Sequence, residues 1–320
     1  MEYNRLGKSG LRVSKLCFGS LTISPLQRNL PVKEAEELLL HAFDHGINFI
    51  DTASLYENYH QIKGALKQWG RHRIHIATKS YAYSADTAGK SLDEALAGLE
   101  TDYIDLFMLH EQESEHTLRG HQEAIDYFLQ KKKEGVIRSF GISTHFVAGV
   151  QAAVRHGAID VVHPIVNYQG LGIVDGTIDE MLEAIHLAKK NDIGIFGMKP
   201  LGGGHLLSDF QKGFDFVLNT PDLDAIAVGM QTKEEIEVNA GIFSKQEISD
   251  DLIKKIEAQP RTLQIADWCT GCGRCVKRCN MNALTVTENT GKKIALVDPK
   301  RCVLCGYCGK VCPDFCIKVI

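Results

Sequence analysis

The sequence predicts an α/β fold: a (β/α)8 TIM barrel over residues 1–260, followed by a small cysteine-rich domain over 261–320. Three observations carry this. Residues 1–250 alternate short apolar runs with helix-length amphipathic segments, the pattern of successive βα units. Eight strand candidates fit in that length, the number a closed parallel barrel needs. Nine of the ten cysteines lie after residue 268, so the composition changes abruptly near the end of the chain.

The strand candidates are Leu16–Gly19, Asn48–Asp51, His75–Lys79, Ile104–Leu109, Ser139–Ser143, Val161–Asn167, Gly194–Met198 and Ala225–Val228. Ahead of them Tyr3–Val13, with Gly7 and Gly10, reads as a hairpin able to plug the lower end of a barrel. Residues 33–45 carry an apolar face at Ala35, Leu38, Leu39, Ala42 and Phe43, closed by Gly46. Ser91/Glu94, Thr177/Glu180 and Thr232/Glu235 each fit a capping box, in which hydroxyl and carboxylate satisfy free N–H groups of a first turn. A doubly wound open sheet is the competing architecture. It usually carries G-x-G-x-x-G after its first strand, and this chain has none.

The cysteines are spaced Cys269-x2-Cys272-x2-Cys275-x3-Cys279 and Cys302-x2-Cys305-x2-Cys308-x3-Cys312, followed by Pro313. That is the two-cluster ferredoxin rhythm, in which three thiolates wrap one [4Fe–4S] cubane and the fourth reaches the other. One cluster is expected on Cys269, Cys272, Cys275 and Cys312, the other on Cys302, Cys305, Cys308 and Cys279. Zinc sites also use C-x2-C pairs, but two quartets with this rhythm favour iron–sulfur. Cys17 and Cys316 read as packed thiols.

The net charge of −4 hides an uneven split. Residues 261–320 hold ten Lys/Arg against four Asp/Glu, a balance of +6. Two thiolate-ligated cubanes would bring about −4, so the basic tail reads as local compensation and not as a nucleic-acid surface. No apolar run approaches a membrane span, and the N-terminus lacks a signal-like stretch. Cysteines grouped for metal in such a chain suggest a cytoplasmic protein.

In a barrel of this kind the reactive groups sit at the C-terminal ends of strands. Asp51, Lys79 and His110 stand at such ends, with Tyr56 in the loop after Asp51. A lysine held by a carboxylate can lower the pKa of a neighbouring phenol and aim it at an oxyanion, while a histidine orients the carbonyl. Those parts suit hydride reduction of C=O. Free N–H groups after strands seven and eight, at Gly202, Gly203, Gly204 and Gly229 and at the helix start Thr232, suit a dinucleotide phosphate. Lys233 is positioned to pair with a 2′-phosphate.

The stretches RLGKSGLRVSKLCFGS, GINFIDTASLY, IHIATK, DYIDLFMLH, GVIRSFGIST and MKPLGGG, continued by IADWCTGCGRCVKRC, resemble the aldo-keto reductases. The likeness is to the subgroup with a C-terminal ferredoxin-like domain, and it spans most of the chain. It implies Asp51, Tyr56, Lys79 and His110 as a catalytic tetrad with Tyr56 the proton donor. It also implies Ser143 and Thr144 on the carboxamide of NADP(H) or NAD(H), and Asn239 on the adenine. Two positions depart from the family pattern: His163 stands where Gln is usual, and Met198 where an aromatic residue stacks on the nicotinamide. A small carbonyl compound is the expected substrate, of unreadable identity. Tyr81, Tyr83, Trp69 and Tyr168 are candidates for its pocket.

Hydride carries two electrons and each cluster takes one, which leaves three readings of the combination. The barrel is a carbonyl reductase with structural or redox-sensing clusters. Alternatively, the clusters exchange electrons between a redox partner protein and the barrel, through a flavin in the same region. In the third, the chain is an electron-transfer module without catalysis.

Overall fold

Parallel pairing organises the first 230 residues of the computed structural model, which describes residues 1–289 and 291–320. After an antiparallel hairpin, β1 (Tyr3–Arg5) with β2 (Arg12–Ser14), eight strands follow. They are β3 (Leu16–Gly19), β4 (Phe49–Asp51), β5 (His75–Ser80), β6 (Ile104–Leu109), β7 (Ile137–Thr144), β8 (Val161–Pro164), β9 (Gly194–Met198) and β10 (Ala225–Gly229). Each pairs with the next, and β10 returns to β3 with Ile226 opposite Leu16. The predicted eight-stranded barrel is therefore present, every strand within two residues of its expected start.

The hairpin fills the bottom. Leu6, Leu11 and Val13 pack with Cys17, Phe49, Leu106, Met108, Val161 and Phe196 inside the barrel. Three buried carboxylates lace neighbouring strands at this lower rim, each accepting a strand N–H: Asp105 from Ile76, Asp160 from Phe140 and Asp224 from Ile195. Each also meets a cation, Arg71, Lys132 and Lys189 respectively. Buried charges are tolerated when paired in this way.

The helices around the barrel turn apolar faces inward. In α1 (Val32–Asp44) the predicted face, Ala35, Leu38, Leu39, Ala42 and Phe43, is buried. Then come α2 (Tyr59–Trp69), α3 (Ala85–Leu99), α4 (Glu115–Gly120), α5 (Gln122–Lys133), α6 (Val147–His156), α7 (Ile178–Lys190), α8 (Phe210–Leu218), α9 (Lys233–Phe243) and α10 (Asp250–Glu257). The capping box at Thr177/Glu180 forms in full. At Thr232/Glu235 only half forms, because the Glu235 carboxylate takes the N–H of Gln231. The expected start at Ser91/Glu94 is wrong: α3 begins about two turns earlier, capped by Ser84 with Thr87. Ser91 lies mid-helix, its hydroxyl turned back onto the Thr87 carbonyl.

The tail is closed by β11 (Leu263–Ile265) pairing with β14 (Ile317–Val319), and holds a second hairpin, β12 (Leu284–Asn289) with β13 (Lys292–Val297). Each cysteine triplet runs into a short helix, α11 (Arg274–Arg278) or α12 (Tyr307–Lys310). The tail sits on the barrel mouth. His205 Nε2 donates to the Ile317 carbonyl at 2.9 Å, and Gln264 donates to the Leu26 carbonyl at 2.8 Å. Gly204, at φ +90°, makes this approach possible: a Cβ there would lie 2.0 Å from the Val319 carbonyl oxygen. Among the described residues no helix is long and apolar enough to cross a membrane.

Candidate active site and iron–sulfur region

Strand ends deliver the expected side chains to one cleft at the top of the barrel. Asp51 closes β4, and its Oδ1 accepts from Lys79 Nζ at 2.6 Å. The same ammonium donates to the Thr52 carbonyl at 2.8 Å. Tyr56 ends a 3-10 turn, with Glu57 beyond it in left-handed backbone. Its ring centroid is 5.1 Å from Lys79 Nζ, and the His110 ring stands edge-on at 6.1 Å. The imidazole of His110 is itself stacked by Tyr81 at 4.5 Å, whose hydroxyl donates to Glu111 at 3.0 Å.

Electrostatics fix the protonation of these groups. Burial alone would raise Asp51, but Lys79 and then His163 outweigh it and hold the carboxyl down to about 2. Burial drives His110 well below its ordinary range, helped by Lys79, so the ring is neutral. Tyr56 differs from expectation: burial, with Asp51 and Glu111, pushes the phenol well up. Lys79 touches the ring but spends its charge on Asp51, so the phenol stays protonated as a donor. His110 Nδ1 is buried with no hydrogen-bond partner among the described residues.

His163 is locked beneath the site. Its Nδ1 lies 2.6 Å from the Phe196 carbonyl, which can only accept, so that nitrogen carries the proton. Nε2 then faces Asp51 Oδ2 at 3.7 Å while the ring stacks on Phe196. Ser143 accepts from the Glu111 N–H, whereas the Thr144 hydroxyl is engaged with Phe146 in its own loop.

Two adjoining cavities, about 180 and 250 Å³, run from Tyr56 to Asn239 and share Leu201, Leu207, Val228, Gly229, Glu235 and Arg261 as walls. The first also takes in His163, Met198, Gly203 and Gly204. Gly202 is packed under Leu171 and Leu206. Thr232 caps α9, accepting from the Glu235 N–H and from Gln259. Lys233 is exposed and outside the lining. The run is long enough to suit an elongated dinucleotide, from Asp51 and Tyr56 at one end to Asn239 at the other.

The tail thiols lie in two neighbourhoods. Cys275 feels Cys312, Cys269 and Cys272, and Cys308 feels Cys302 and Cys305. Cys279, Cys302, Cys305 and Cys308 line one small cavity. The soft donor set and these two groupings fit iron–sulfur clusters. Cys17 is buried in the barrel core, whereas Cys316, read from the sequence as a packed thiol, lies with its Sγ 3.4 Å from Cys312 Sγ, inside the first thiol grouping.

Residues 15–217 match the family model described as Aldo/keto reductase family, which is well over half the chain. The chain belongs to the aldo/keto reductase family. Residues 268–316 of this reductase match a 4Fe-4S dicluster domain. Over 230 residues it is 30% identical to a "Probable voltage-gated potassium channel subunit beta" of Arabidopsis thaliana, covering 67% of this chain and 68% of that one. It is 24% identical to L-galactose dehydrogenase of the same plant over 318 residues, covering 85% and 98%. The solved aldo-keto reductase of Bacillus halodurans superimposes with a TM-score of 0.64 at 20% identity, covering 80% and 95%; at that identity the likeness is one of fold.

Of the aromatic pocket candidates only Tyr81 reaches the site. Trp69 packs on Phe43 outside the barrel, Tyr168 sits over Lys212 beside α8, and Tyr83 is exposed. Sequence reasoning missed Lys199, Arg261 and Lys318, all of which line the cleft. Lys199 could have been found, since it follows strand seven within MKPLGGG. Arg261 and Lys318 come from the connector and the tail, where nothing local announces a barrel site.

Proposed function

We propose that this reductase converts an aldehyde or ketone to an alcohol with hydride from NADPH or NADH. The observation that carries the reading is the Asp51–Lys79 pair at 2.6 Å beside Tyr56, with the His110 ring edge-on to that phenol at 6.1 Å. The nicotinamide supplies the hydride when bound. The residues do the rest. Neutral His110, edge-on to Tyr56, stands beside the phenol to orient the carbonyl. As the C–H bond forms, the C=O electron pair moves to oxygen, and that oxygen takes the proton of the Tyr56 hydroxyl. Lys79, anchored by Asp51, places a positive field beside the developing oxyanion. Residues Gly203, Gly204, Gly229, Thr232 and Asn239 hold the dinucleotide along the cleft, with Ser143 and His163 near the carboxamide end.

In the same reading residues 261–320 form a separate domain, with one cluster on Cys269, Cys272, Cys275 and Cys312 and another on Cys302, Cys305, Cys308 and Cys279. A specific contact supports a second role for them, electron exchange with the cleft and with a redox partner. Phe315, three residues beyond Cys312, stands edge-on to His145 at 5.8 Å and under Lys199 at 4.8 Å. The test is anaerobic purification followed by turnover of an aldehyde panel with 4-deuterated NADPH. Deuterium on the alcohol carbon, with about eight iron atoms per chain, is the expected result. A flavin spectrum with no label transfer would replace the nicotinamide reading with the electron-transfer one.

A further inference from the structure

Two ammonium groups in the cleft have no carboxylate partner. Lys199 follows β9 in left-handed backbone (φ +58°) and lines the cavity beside Tyr56 and Asp51. Its Nζ donates to His145 Nε2 at 2.7 Å, which leaves two N–H groups unused. Lys318 comes from β14 of the tail, is 7% exposed and lines the same cavity. It donates to the Phe315 carbonyl, and its Nζ lies 3.3 Å from the Phe315 ring centroid. Both ammoniums therefore flank one aromatic ring. Among the described residues neither makes an ion pair: Asp51 is committed to Lys79, and Glu111, whose Oε2 accepts from Tyr81, acts on both lysines only from beyond contact distance.

A buried cation without a counter-ion in contact is costly, and two side by side more so: burial brings Lys199 down to about 8, and burial with Lys199 pushes Lys318 well below its ordinary range. A bound anion would relieve both. The cofactor diphosphate is one source, but the placement of Lys199 argues for another. The phosphate-binding N–H groups follow β9 and β10, whereas the Lys199 ammonium reaches His145, just past β7. The stem of Lys318 crosses Gly203, and Lys199 is the charge that acts on its ammonium most strongly. The paired charges thus lie toward Glu111 and His145, the side of the cleft on which His110 stands and on which a carbonyl substrate must enter.

Resting on the reductase reading above, we propose that the substrate is a carbonyl compound bearing a carboxylate or phosphate, with Lys199 of the barrel and Lys318 of the iron–sulfur tail together seating that anion. The tail then supplies part of the substrate pocket, whatever the clusters do with electrons. With the anion bound both lysines hold their protons, and charge-assisted hydrogen bonds from the pair should favour an anionic substrate at least about tenfold.

The test uses the full, cluster-loaded chain. kcat/KM is compared for butyraldehyde, succinic semialdehyde and glyceraldehyde 3-phosphate, and succinate binding to the NADPH complex is measured by calorimetry. Preference for one of the charged aldehydes, lost by about tenfold in Lys199→Met and in Lys318→Met and restored by the Arg variants, is expected; which aldehyde wins tells carboxylate from phosphate. Succinate affinity should fall in the same variants if the anion is a carboxylate. Equal or better turnover of butyraldehyde overturns the proposal while leaving the reductase reading intact, and no turnover of any aldehyde defeats that reading itself. If the Met variants weaken NADPH binding and leave the substrate ratio unchanged, the lysines serve the cofactor and the proposal fails. Retained cluster absorbance in each variant confirms that the tail is folded.

Discussion

Tyr56→Phe should reduce kcat for carbonyl reduction by about 10²–10⁴, the range associated with loss of a positioned proton donor. The phenol is pushed well above its ordinary range by burial and by Asp51, so it remains an acid throughout the neutral region and loses nothing to ionisation there. Phenylalanine keeps the ring that Lys79 and His110 pack against and removes only the hydroxyl. NADPH affinity should therefore stay within about twofold, since binding and proton transfer draw on different groups. Single-turnover measurements with saturating cofactor separate the two. A variant that keeps half the wild-type rate would remove Tyr56 from the proton-donor role. The raised phenol also implies a direction: alcohol oxidation, which needs the same oxygen as a base, should be slow at neutral pH.

Lys79→Met is the change expected to cost most stability, about 3–5 kcal/mol, because it leaves a buried carboxylate without its main counter-ion. Asp51 and Lys79 are both almost wholly buried. The Asp51 carboxyl is held from its ordinary 3.8 to about 2, so its pairing stabilises the native chain above the ordinary value and is lost only as pH falls through about 2. In the variant burial dominates, the carboxyl rises, and the native state pays to keep it charged at neutral pH. His163 at 3.7 Å gives partial relief. Urea titration at neutral pH is the direct measurement, and the loss should shrink as pH is lowered and Asp51 takes up a proton. Adding Asp51→Asn should recover much of the difference, since it removes the unpaired charge. If Lys79→Met unfolds at the wild-type urea midpoint, the pair has no structural weight.

The barrel was legible because its signals are local and repeated. Each β-strand is a short apolar run bounded by a helical period, and this pattern does not depend on what the strand pairs with. The Asp51, Lys79 and His110 positions were legible for the same reason, standing where a strand ends and chemistry is allowed. The start of α3 was misread because Ser91 and Glu94 satisfy a spacing rule that Ser84 and Thr87 satisfy better about two turns earlier. The phenol shift was misread because the sequence shows that a lysine is near but not that Asp51 claims its charge. Lys318 was beyond sequence reading altogether. It lies 119 positions from Lys199, and only the docking of β14 on Gly204 brings the two together.

That docking ties enzyme maturation to iron supply. The four side chains proposed for catalysis all come from the first 110 residues and are in place once the barrel closes. One wall of the cleft, from Lys318 to Ile320, is not; its strand is held by a tail with a small core built largely around cysteine side chains. Such a module depends on its inorganic cargo to keep its shape. A cell short of iron would then accumulate a finished barrel with an open flank, a catalyst assembled but not yet licensed to choose what enters.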